Sequence, residues 1–307
     1  MAQADRGLKI LVAVTFRDFN GSENEKIQRL FIESLRNQTY KNWRMVVTVF
    51  NEKFVEREVS AYPIDASFYS SGPVSGYRFS LTDVLLNAVS EASKCDERTI
   101  VVWTTCDILL EPNFFEELVR NRTDNFFAIS HPHLTYRDVE DWGAARAVPA
   151  SLRSGIDLVV MDGQIFQSGR NVDAIKKYRF TDWGIFEHFL VGLAILNKGP
   201  RINLFGTANI SKIENDRVVG EETNRWLAEC WRRNKVPLTQ FIADHDLSHE
   251  LLDLTYCDLQ FSVLKNKRAF YLMFARDLMR YVKDAGLRKL SRRLPGALKG
   301  LIKKVAE

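Results

Sequence analysis

In the first part of the chain, the spacing of hydrophobic positions switches between a pattern typical of strands and one typical of helices. Three runs rich in apolar and β-branched residues are typical of buried strands: 8–16, 42–50 and 99–105. Three segments have apolar residues at helical spacing: 24–38, 80–93 and 111–121. Strands and helices that alternate at these lengths predict a mostly parallel sheet wrapped by helices.

The second half is less regular, but its pattern still predicts further elements. Short strands are expected within 124–136, 154–166 and 201–206. The strongly apolar segment 183–199 predicts a helix that Gly199 closes. Another helix is expected over 223–234, with a break at Pro237. The predicted class is α/β, a Rossmann-like, mostly parallel sheet flanked by helices, with a helical C-terminal extension.

Composition places the chain among ordinary globular proteins. Its 307 residues, 46% hydrophobic and 27% charged, are enough for one large domain or two modest ones. No apolar run approaches the roughly 20 residues of a membrane-spanning helix, and the N-terminus lacks the pattern of a cleavable signal. The four cysteines lie far apart, which favours reduced thiols and argues against a zinc site. A cytoplasmic protein is expected.

The charge is concentrated near the C-terminus. Residues 280–304 carry nine Lys or Arg and one Asp, a local charge of +8 within a total of +4, so the remainder is about −4. The body is therefore not expected to bind nucleic acid. Leucines recur at helical spacing within the basic stretch: Leu287, Leu290, Leu294, Leu298 and Leu301. Such an amphipathic tail suits peripheral contact with the inner face of a membrane, or a helix packed on its own domain.

A single acid ends the third apolar run. In VVWTTCDILLEP (101–112), Asp107 follows the strand and precedes the next predicted helix. A carboxylate in this place is compatible with a cap or turn. It is also compatible with a metal ligand at the carboxyl edge of a parallel sheet, where open α/β folds bind their ligands.

Three segments share a pattern with a known enzyme family. FIESLRNQTYKNWRMVVTVFNE (31–52) has the form S-L-x-x-Q-x-Y-x-N-W leading into a strand, and TDVLLNAVSEA (82–92) is a helix that carries an Asn. VVWTTCDILLEPNFFEELV (101–119) is a strand that ends in an acid, followed by a helix. Together they resemble the family 2 glycosyltransferases. The resemblance implies the GT-A fold, with a transferase domain over 1–245 and a helical region with the basic tail over 246–307.

The resemblance also implies where a nucleotide-sugar donor, of the UDP- or GDP-sugar type, would bind. The expected residues are Thr15, Phe16, Arg17, Asn51, Glu52, Arg78, Asn87 and Thr105. The fork of Arg17 suits phosphate oxygens, and Glu52 is the nearest match to the acid that the family places after its second strand. Asn51 and Glu52 are also compatible with ordinary strand-end polar residues, and Arg17 with a solvated loop charge.

A divalent cation, Mn²⁺ or Mg²⁺, is the cofactor that the resemblance implies, because such an ion neutralises the leaving diphosphate. Asp107 is the expected ligand. The sequence departs from the family here, since Thr105 stands where the first Asp of its D-x-D signature would be. His245 and His249, four residues apart, could complete the site if their segment is helical, although surface or capping roles fit them as well.

The acceptor hydroxyl needs a general base. Glu187 is expected in this role, with Asp182 in reserve, because both lie in an aromatic-rich segment at the start of the apolar helix. A carboxylate on such a helix is costly to bury, and acids in such surroundings are frequently functional. Alternatively, Asp182 caps the helix and Glu187 pairs with an arginine.

The leading hypothesis is an inverting, metal-assisted glycosyltransferase. It would move a hexosyl-type sugar to a glycan or lipid-linked acceptor in bacterial surface polysaccharide synthesis. The alternative is a catalytically silent GT-A-like domain that binds a glycan or a partner. A nucleotidyltransferase is a third hypothesis, but the segment after the first strand, FRDFNGSEN, offers one Gly and one Arg rather than a Gly-rich basic loop.

Overall fold

The structure is a computed structural model. It describes residues 7–16, 23–50, 53–72, 80–130, 132, 134–146, 148–149, 158–166, 168–181, 185–204, 210–213 and 221–252. The strands are β1 (Leu8–Thr15), β2 (Trp43–Phe50), β3 (Ala66–Ser71), β4 (Arg98–Thr104), β5 (Ile108–Leu110), β6 (Phe127–Ser130), β7 (Leu134–Tyr136), β8 (Val148–Pro149), β9 (Leu158–Asp162), β10 (Arg201–Asn203) and β11 (Ile210–Ile213). The helices are α1 (Glu23–Arg36), α2 (Lys53–Ser60), α3 (Leu81–Ala92), α4 (Phe114–Asn121), α5 (Val139–Gly143), α6 (Gly169–Lys177), α7 (Phe186–Asn197) and α8 (Glu221–Asp244).

The larger sheet has seven strands in the order β10-β6-β9-β4-β1-β2-β3. Neighbours are parallel except at β9, which is antiparallel to both β4 and β6. From β1 the chain proceeds to β2 and β3 on one side, then crosses to β4 on the other side of β1. The topological switch point, where ligands of open α/β sheets bind, is therefore between β1 and β4.

Alternate residues of the central strands face two separate hydrophobic layers, because side chains of a strand point to opposite faces in turn. Leu11, Ala13 and Trp103 pack with apolar residues of α3, α6, α7 and α8. Ile10 and Val12 pack with those of α1, α2 and α4 on the opposite face. The central strands are thus buried on both faces, as their near-continuous apolar sequences indicate.

Helix α3 crosses the sheet from its carboxyl edge to its amino edge. Ser80, the N-cap, accepts a hydrogen bond from the Asp83 backbone N–H at 3.2 Å. Asp83 accepts a hydrogen bond from Ser71 at the end of β3, at 2.6 Å. Two turns later, Glu91 is bonded to Arg44 near the start of β2. Helix α3 therefore connects the carboxyl edge of the sheet to its amino edge.

A smaller sheet has the strand order β5-β11-β7-β8, and its strand β5 follows β4 directly in the sequence. Its central strand β11 is antiparallel to β5 and parallel to β7. Leu109, Tyr136 and Ile213 from this sheet pack on Ile27 of α1. The small sheet is thereby fixed to the main domain beside Asp107.

The predicted α/β class and mostly parallel sheet are confirmed, with two local corrections. Helix α8 does not end before Pro237 but continues through it, because buried Asn234 on one side and Leu238 on the other anchor it to the domain. Helix α7 ends with Lys198 in the left-handed conformation rather than with Gly199. A Cβ on Gly199 would lie 1.8 Å from the Asn125 carbonyl oxygen, so this glycine permits a close backbone approach.

Among the described residues, no helix is both long enough and apolar enough to cross a membrane. The predicted basic amphipathic tail lies outside the described residues, and so does most of the predicted C-terminal helical region.

Candidate functional site

Three threonines lie at one level of the carboxyl edge, around the switch point. Thr15 of β1 is in register with Thr48 of β2. Ala13 is in register with Trp103 of β4, which places Thr105, two residues later, at the level of Thr15. Side chains two residues apart in a strand share a face, so Thr15 and Thr48 lie on the α3 side of the sheet, with Ala13 and Val46.

Hydrogen bonds join Thr15 to Thr48, and Thr48 to α3. The Thr15 hydroxyl donates to the Thr48 carbonyl at 3.0 Å, and Asn87 Nδ2 donates to the Thr48 hydroxyl at 2.8 Å. Phe16 is buried against Phe31, with ring centroids 6.0 Å apart. Three of the residues expected to meet the donor, Thr15, Phe16 and Asn87, are thus brought to one edge of the sheet.

Asp107 is held from two directions. The Thr105 hydroxyl donates to its Oδ1 atom, and Lys212 Nζ of β11 lies 3.8 Å from its Oδ2 atom. The backbone N–H of Ile213 donates to the Asp107 carbonyl at 3.0 Å. The Asp107 side chain is 30% exposed, so its carboxylate is oriented by protein groups and remains open to a ligand.

Lys212 is the residue at this site that sequence reasoning missed. It lies in a four-residue strand, and no motif in the sequence marks it. Its position depends on the pairing of β11 with β5, about a hundred residues earlier in the chain. The one available signal was a basic residue in an alternating apolar and polar segment, which is common on the surfaces of proteins.

Among the described residues, the donor set around Asp107 is too small for a resident metal ion. Within the residues that the structure describes, no group of three or more His, Cys, Asp or Glu could hold one. Asp107 instead has the Lys212 ammonium group beside it, 3.8 Å from its Oδ2 atom.

The two predicted histidine ligands follow the end of helix α8. Helix α8 ends at Asp244, and Asp246 has a φ of 51°, so His245 and His249 are not on one continuous helix. The His245 ring packs against Tyr178 and Phe241, with centroids 6.1 and 5.1 Å away. None of the described contacts joins either histidine to Asp107.

The environment of His245 disfavours protonation of its ring. Burial lowers its pKa from the usual 6.5, and the charge of nearby Arg170 lowers the pKa further. The ring packs in an aromatic cluster, and the ligand roles expected of His245 and His249 stay predictions.

Glu187 is in the first turn of α7, on the same face of the sheet as α3. It is 5% exposed, and the neighbouring His188 is 1% exposed. Phe186 anchors this turn against Trp103 near the end of β4, with ring centroids 5.4 Å apart. Ile185 precedes the helix with a φ of 65°, a strained conformation for a β-branched residue that is typical of functional sites.

The segment that leads into α7 is clamped from two sides. Thr181 pairs with Ser80 at the start of α3 in an isolated β-bridge. Buried Asn234 of α8 accepts from the Thr181 N–H at 3.0 Å and donates to the Thr181 carbonyl at 2.7 Å. The start of α7 is therefore fixed relative to the carboxyl edge.

Five of the predicted site residues lie outside the described residues: Arg17, Asn51, Glu52, Arg78 and Asp182. Their expected roles stay predictions.

No protein-family model matches the sequence, and no curated protein matches it either. Among solved structures, the chain is similar to TarS 1-349 of S. aureus, with 12% identity and a TM-score of 0.48 over 90% of this chain and 80% of that one. GalNAc-T7, crystallised with UDP, GalNAc and Mn²⁺, shows 11% identity and a TM-score of 0.42, covering 92% of this chain and 58% of that one. The inositol-1-phosphate CTP transferase of T. maritima shows 9% identity and a TM-score of 0.38, covering 73% and 96%. Similarity at this level concerns the fold, and the reaction has to be inferred from the chain's own residues.

Proposed function

We propose that this chain is a glycosyltransferase that moves a sugar from a nucleotide-sugar donor to a glycan or lipid-linked acceptor. The observation that supports the proposal is the position of Asp107, an oriented and partly exposed carboxylate at the switch point between β1 and β4. Hydroxyl and amide groups of Thr15 and Asn87 lie at the same edge, where a nucleotide would be placed.

In the proposed reaction, the acceptor hydroxyl oxygen forms a bond to the anomeric carbon of the sugar. The bond from that carbon to the diphosphate oxygen breaks, and its electron pair stays on the diphosphate. The acceptor's proton passes to a base. Attack from the face opposite the leaving group inverts the configuration at the anomeric carbon.

Glu187 is proposed as the base, with Asp182 in reserve. The first turn of α7 is anchored to β4 close to the switch point, which supports this assignment. The change Glu187→Gln is expected to lower kcat by about 10²–10⁴-fold while donor binding persists, since general-base contributions have this size. A Gln variant that transfers sugar at the wild-type rate, measured by product formation in single turnovers, would exclude this role.

A divalent ion in this enzyme is proposed to arrive with the donor rather than to reside in the protein. The diphosphate would supply most of its oxygen ligands and Asp107 one more, which is a usual arrangement for Mg²⁺. Such an ion would add positive charge at the leaving diphosphate.

The proposal names only the general class of the acceptor. A lipid-linked acceptor in bacterial surface polysaccharide synthesis fits the basic amphipathic tail predicted at 280–304, which would hold the enzyme at an anionic membrane surface. Sedimentation of the full chain with vesicles of anionic lipid, compared with neutral vesicles, tests this part separately.

A thermal-shift screen of nucleotide-sugars, with and without Mn²⁺, tests the proposed activity. A donor that binds the native protein raises its melting temperature by an amount that grows with the logarithm of the ratio of its concentration to its Kd. We expect one nucleotide-sugar to give a clear shift and to be consumed with release of its nucleoside diphosphate.

The alternatives give different outcomes in the same experiment. A silent GT-A-like domain would show no shift with any nucleotide or nucleotide-sugar. A nucleotidyltransferase would consume a nucleoside triphosphate and a sugar phosphate and release pyrophosphate.

A further inference from the structure

The pairing of Lys212 with Asp107 carries an inference that rests on the proposed function. A nucleotide-sugar brings two phosphate charges to the switch point, and the bond that breaks leaves a further charge on the diphosphate. Positive charge is needed at that place. Lys212 Nζ, 3.8 Å from Asp107 Oδ2, supplies it.

The backbone around Lys212 is fixed on both sides. Lys212 is in register with Ile108 of β5 on one side and with Thr135 of β7 on the other. The adjacent Ile213 N–H donates to the Asp107 carbonyl at 3.0 Å. The lysine and the acid are therefore linked through both backbone and side chain, and their relative position does not depend on a flexible loop.

Burial also suits Lys212 for this role. Its side chain is 13% exposed, whereas that of Asp107 is 30% exposed. Most of the lysine stem is thus enclosed by protein, while the carboxylate beside its ammonium group faces solvent. A charge in such a partly enclosed place is screened less by salt than one on the surface.

We propose that Lys212 is the cation that binds the donor's diphosphate, with Asp107 and Thr105 as residues that position it. The sequence has T-C-D where the family signature is D-x-D, so one acid is missing. Beside the remaining acid, Asp107, the Lys212 ammonium group then supplies the positive charge in place of a metal ion. Nucleoside diphosphates should consequently bind without any divalent ion.

Isothermal titration of the full chain with UDP, GDP, CDP and ADP, in EDTA and in Mn²⁺, tests this inference. We expect one diphosphate to bind the wild type in EDTA. The change Lys212→Met should weaken that binding about tenfold or more, since a hydrogen bond to a charged group is lost. Lys212→Arg keeps the charge and should stay within about threefold of the wild type.

The matching monophosphate separates a contact with the diphosphate from a general disturbance of the site. Lys212→Met should weaken binding of the diphosphate far more than binding of the monophosphate with the same base. Lys41→Met, an exposed lysine at the opposite edge of the sheet, is the matched control and should bind both ligands as the wild type does. Melting temperatures of all variants verify folding.

Two results would overturn the inference while leaving the proposed function intact. One is a wild type that binds the diphosphate in Mn²⁺ and not in EDTA. The other is equal weakening of diphosphate and monophosphate in Lys212→Met, or no weakening in a folded Lys212→Met or Lys212→Gln protein. Failure of the wild type to bind any of the four diphosphates in either condition would instead count against the proposed function itself.

Discussion

Two carboxylates of this molecule, Glu91 and Asp107, are both paired with basic residues but differ in how completely they are satisfied. Glu91, at the amino-edge end of α3, is 3% exposed. It accepts hydrogen bonds from Tyr69, Arg44, Ser67 and Lys94. Asp107, at the carboxyl edge, accepts one hydroxyl hydrogen bond and has one ammonium group nearby at 3.8 Å.

The difference distinguishes a structural acid from one that can act on a ligand. Burial alone would raise the pKa of Glu91, but hydrogen bonds from Tyr69, Arg44, Ser67 and Lys94 outweigh it and lower the pKa to about 2. Its oxygens have no capacity left for a ligand. Asp107 keeps both exposure and acceptor capacity, as expected of an acid at a switch point.

The largest effect is expected from removing the charge at Asp107. In Asp107→Asn, the transfer rate should fall about 10²–10³-fold, because the Lys212 ammonium that stabilises the developing charge loses the acid that positions it. The free energy of unfolding should change by less than about 1 kcal/mol, because partly exposed ion pairs contribute little. Product formation and urea unfolding measure the two quantities. Asp124→Asn, which removes an exposed acid paired with Arg98, is the control and should keep full activity.

Removing the charge at Glu91 should have the opposite effect to Asp107→Asn: stability should fall and activity should be kept. In Glu91→Gln, the free energy of unfolding should fall by about 2–3 kcal/mol, because hydrogen bonds to a buried charged group are lost. Activity per folded molecule should be unchanged. Glu33→Gln, at an exposed acid paired with Arg36, should unfold like the wild type. If Glu91→Gln lost activity without losing stability, the assignment of Glu91 as a structural acid would be wrong.

The ionisation of Glu91 should make the free energy of unfolding depend on pH. Its pKa is about 2 in the folded protein and near 4.5 when unfolded, so the folded state binds fewer protons. The stabilisation is fully present above about pH 4.5 and is lost as the pH falls towards about 2. Unfolding free energies measured across this window should decrease by about 2–3 kcal/mol more in the wild type than in Glu91→Gln. Parallel curves for the two proteins would contradict this expectation.

The smallest effect is expected at Thr105. The change Thr105→Val removes the hydroxyl that orients Asp107 but leaves the carboxylate and Lys212 in place. Affinity for the donor should fall by about two- to tenfold, since one hydrogen bond to a charged group is lost. Titration with the nucleotide-sugar found in the thermal-shift screen measures this. Thr239→Val, which changes an exposed hydroxyl of α8, should have no effect on donor affinity.

The sequence was sufficient where structure depends on local pattern. The buried strands β1, β2 and β4 follow from their apolar runs, and the Ser80 cap follows from its place before a helical period. From these the sheet, and with it the place of Thr15 and Asp107 at the carboxyl edge, could be predicted. Strand β3 could not, because ASFYSS has little apolar character and depends on its pairing with β2.

The rest of the site depends on contacts distant in sequence. Lys212 lies beside Asp107 because β11 pairs with β5, and no local sequence pattern indicates that pairing. The continuation of α8 through Pro237 likewise depends on tertiary anchors, since proline removes a helical hydrogen bond. His245 and His249 would share a helix face only if their segment were helical, and Asp246 takes up a left-handed conformation between them.

The clamp on Thr181 has a consequence for the order in which the site is assembled during synthesis. Thr181 obtains its two backbone hydrogen bonds to Asn234 only after 53 further residues have been made, because that is the separation between the two positions. Domains fold largely as units as they emerge from the ribosome. The hydrogen bonds that fix Thr181 ahead of Glu187 therefore form late, so a nascent chain that ends before Asn234 should lack this clamp.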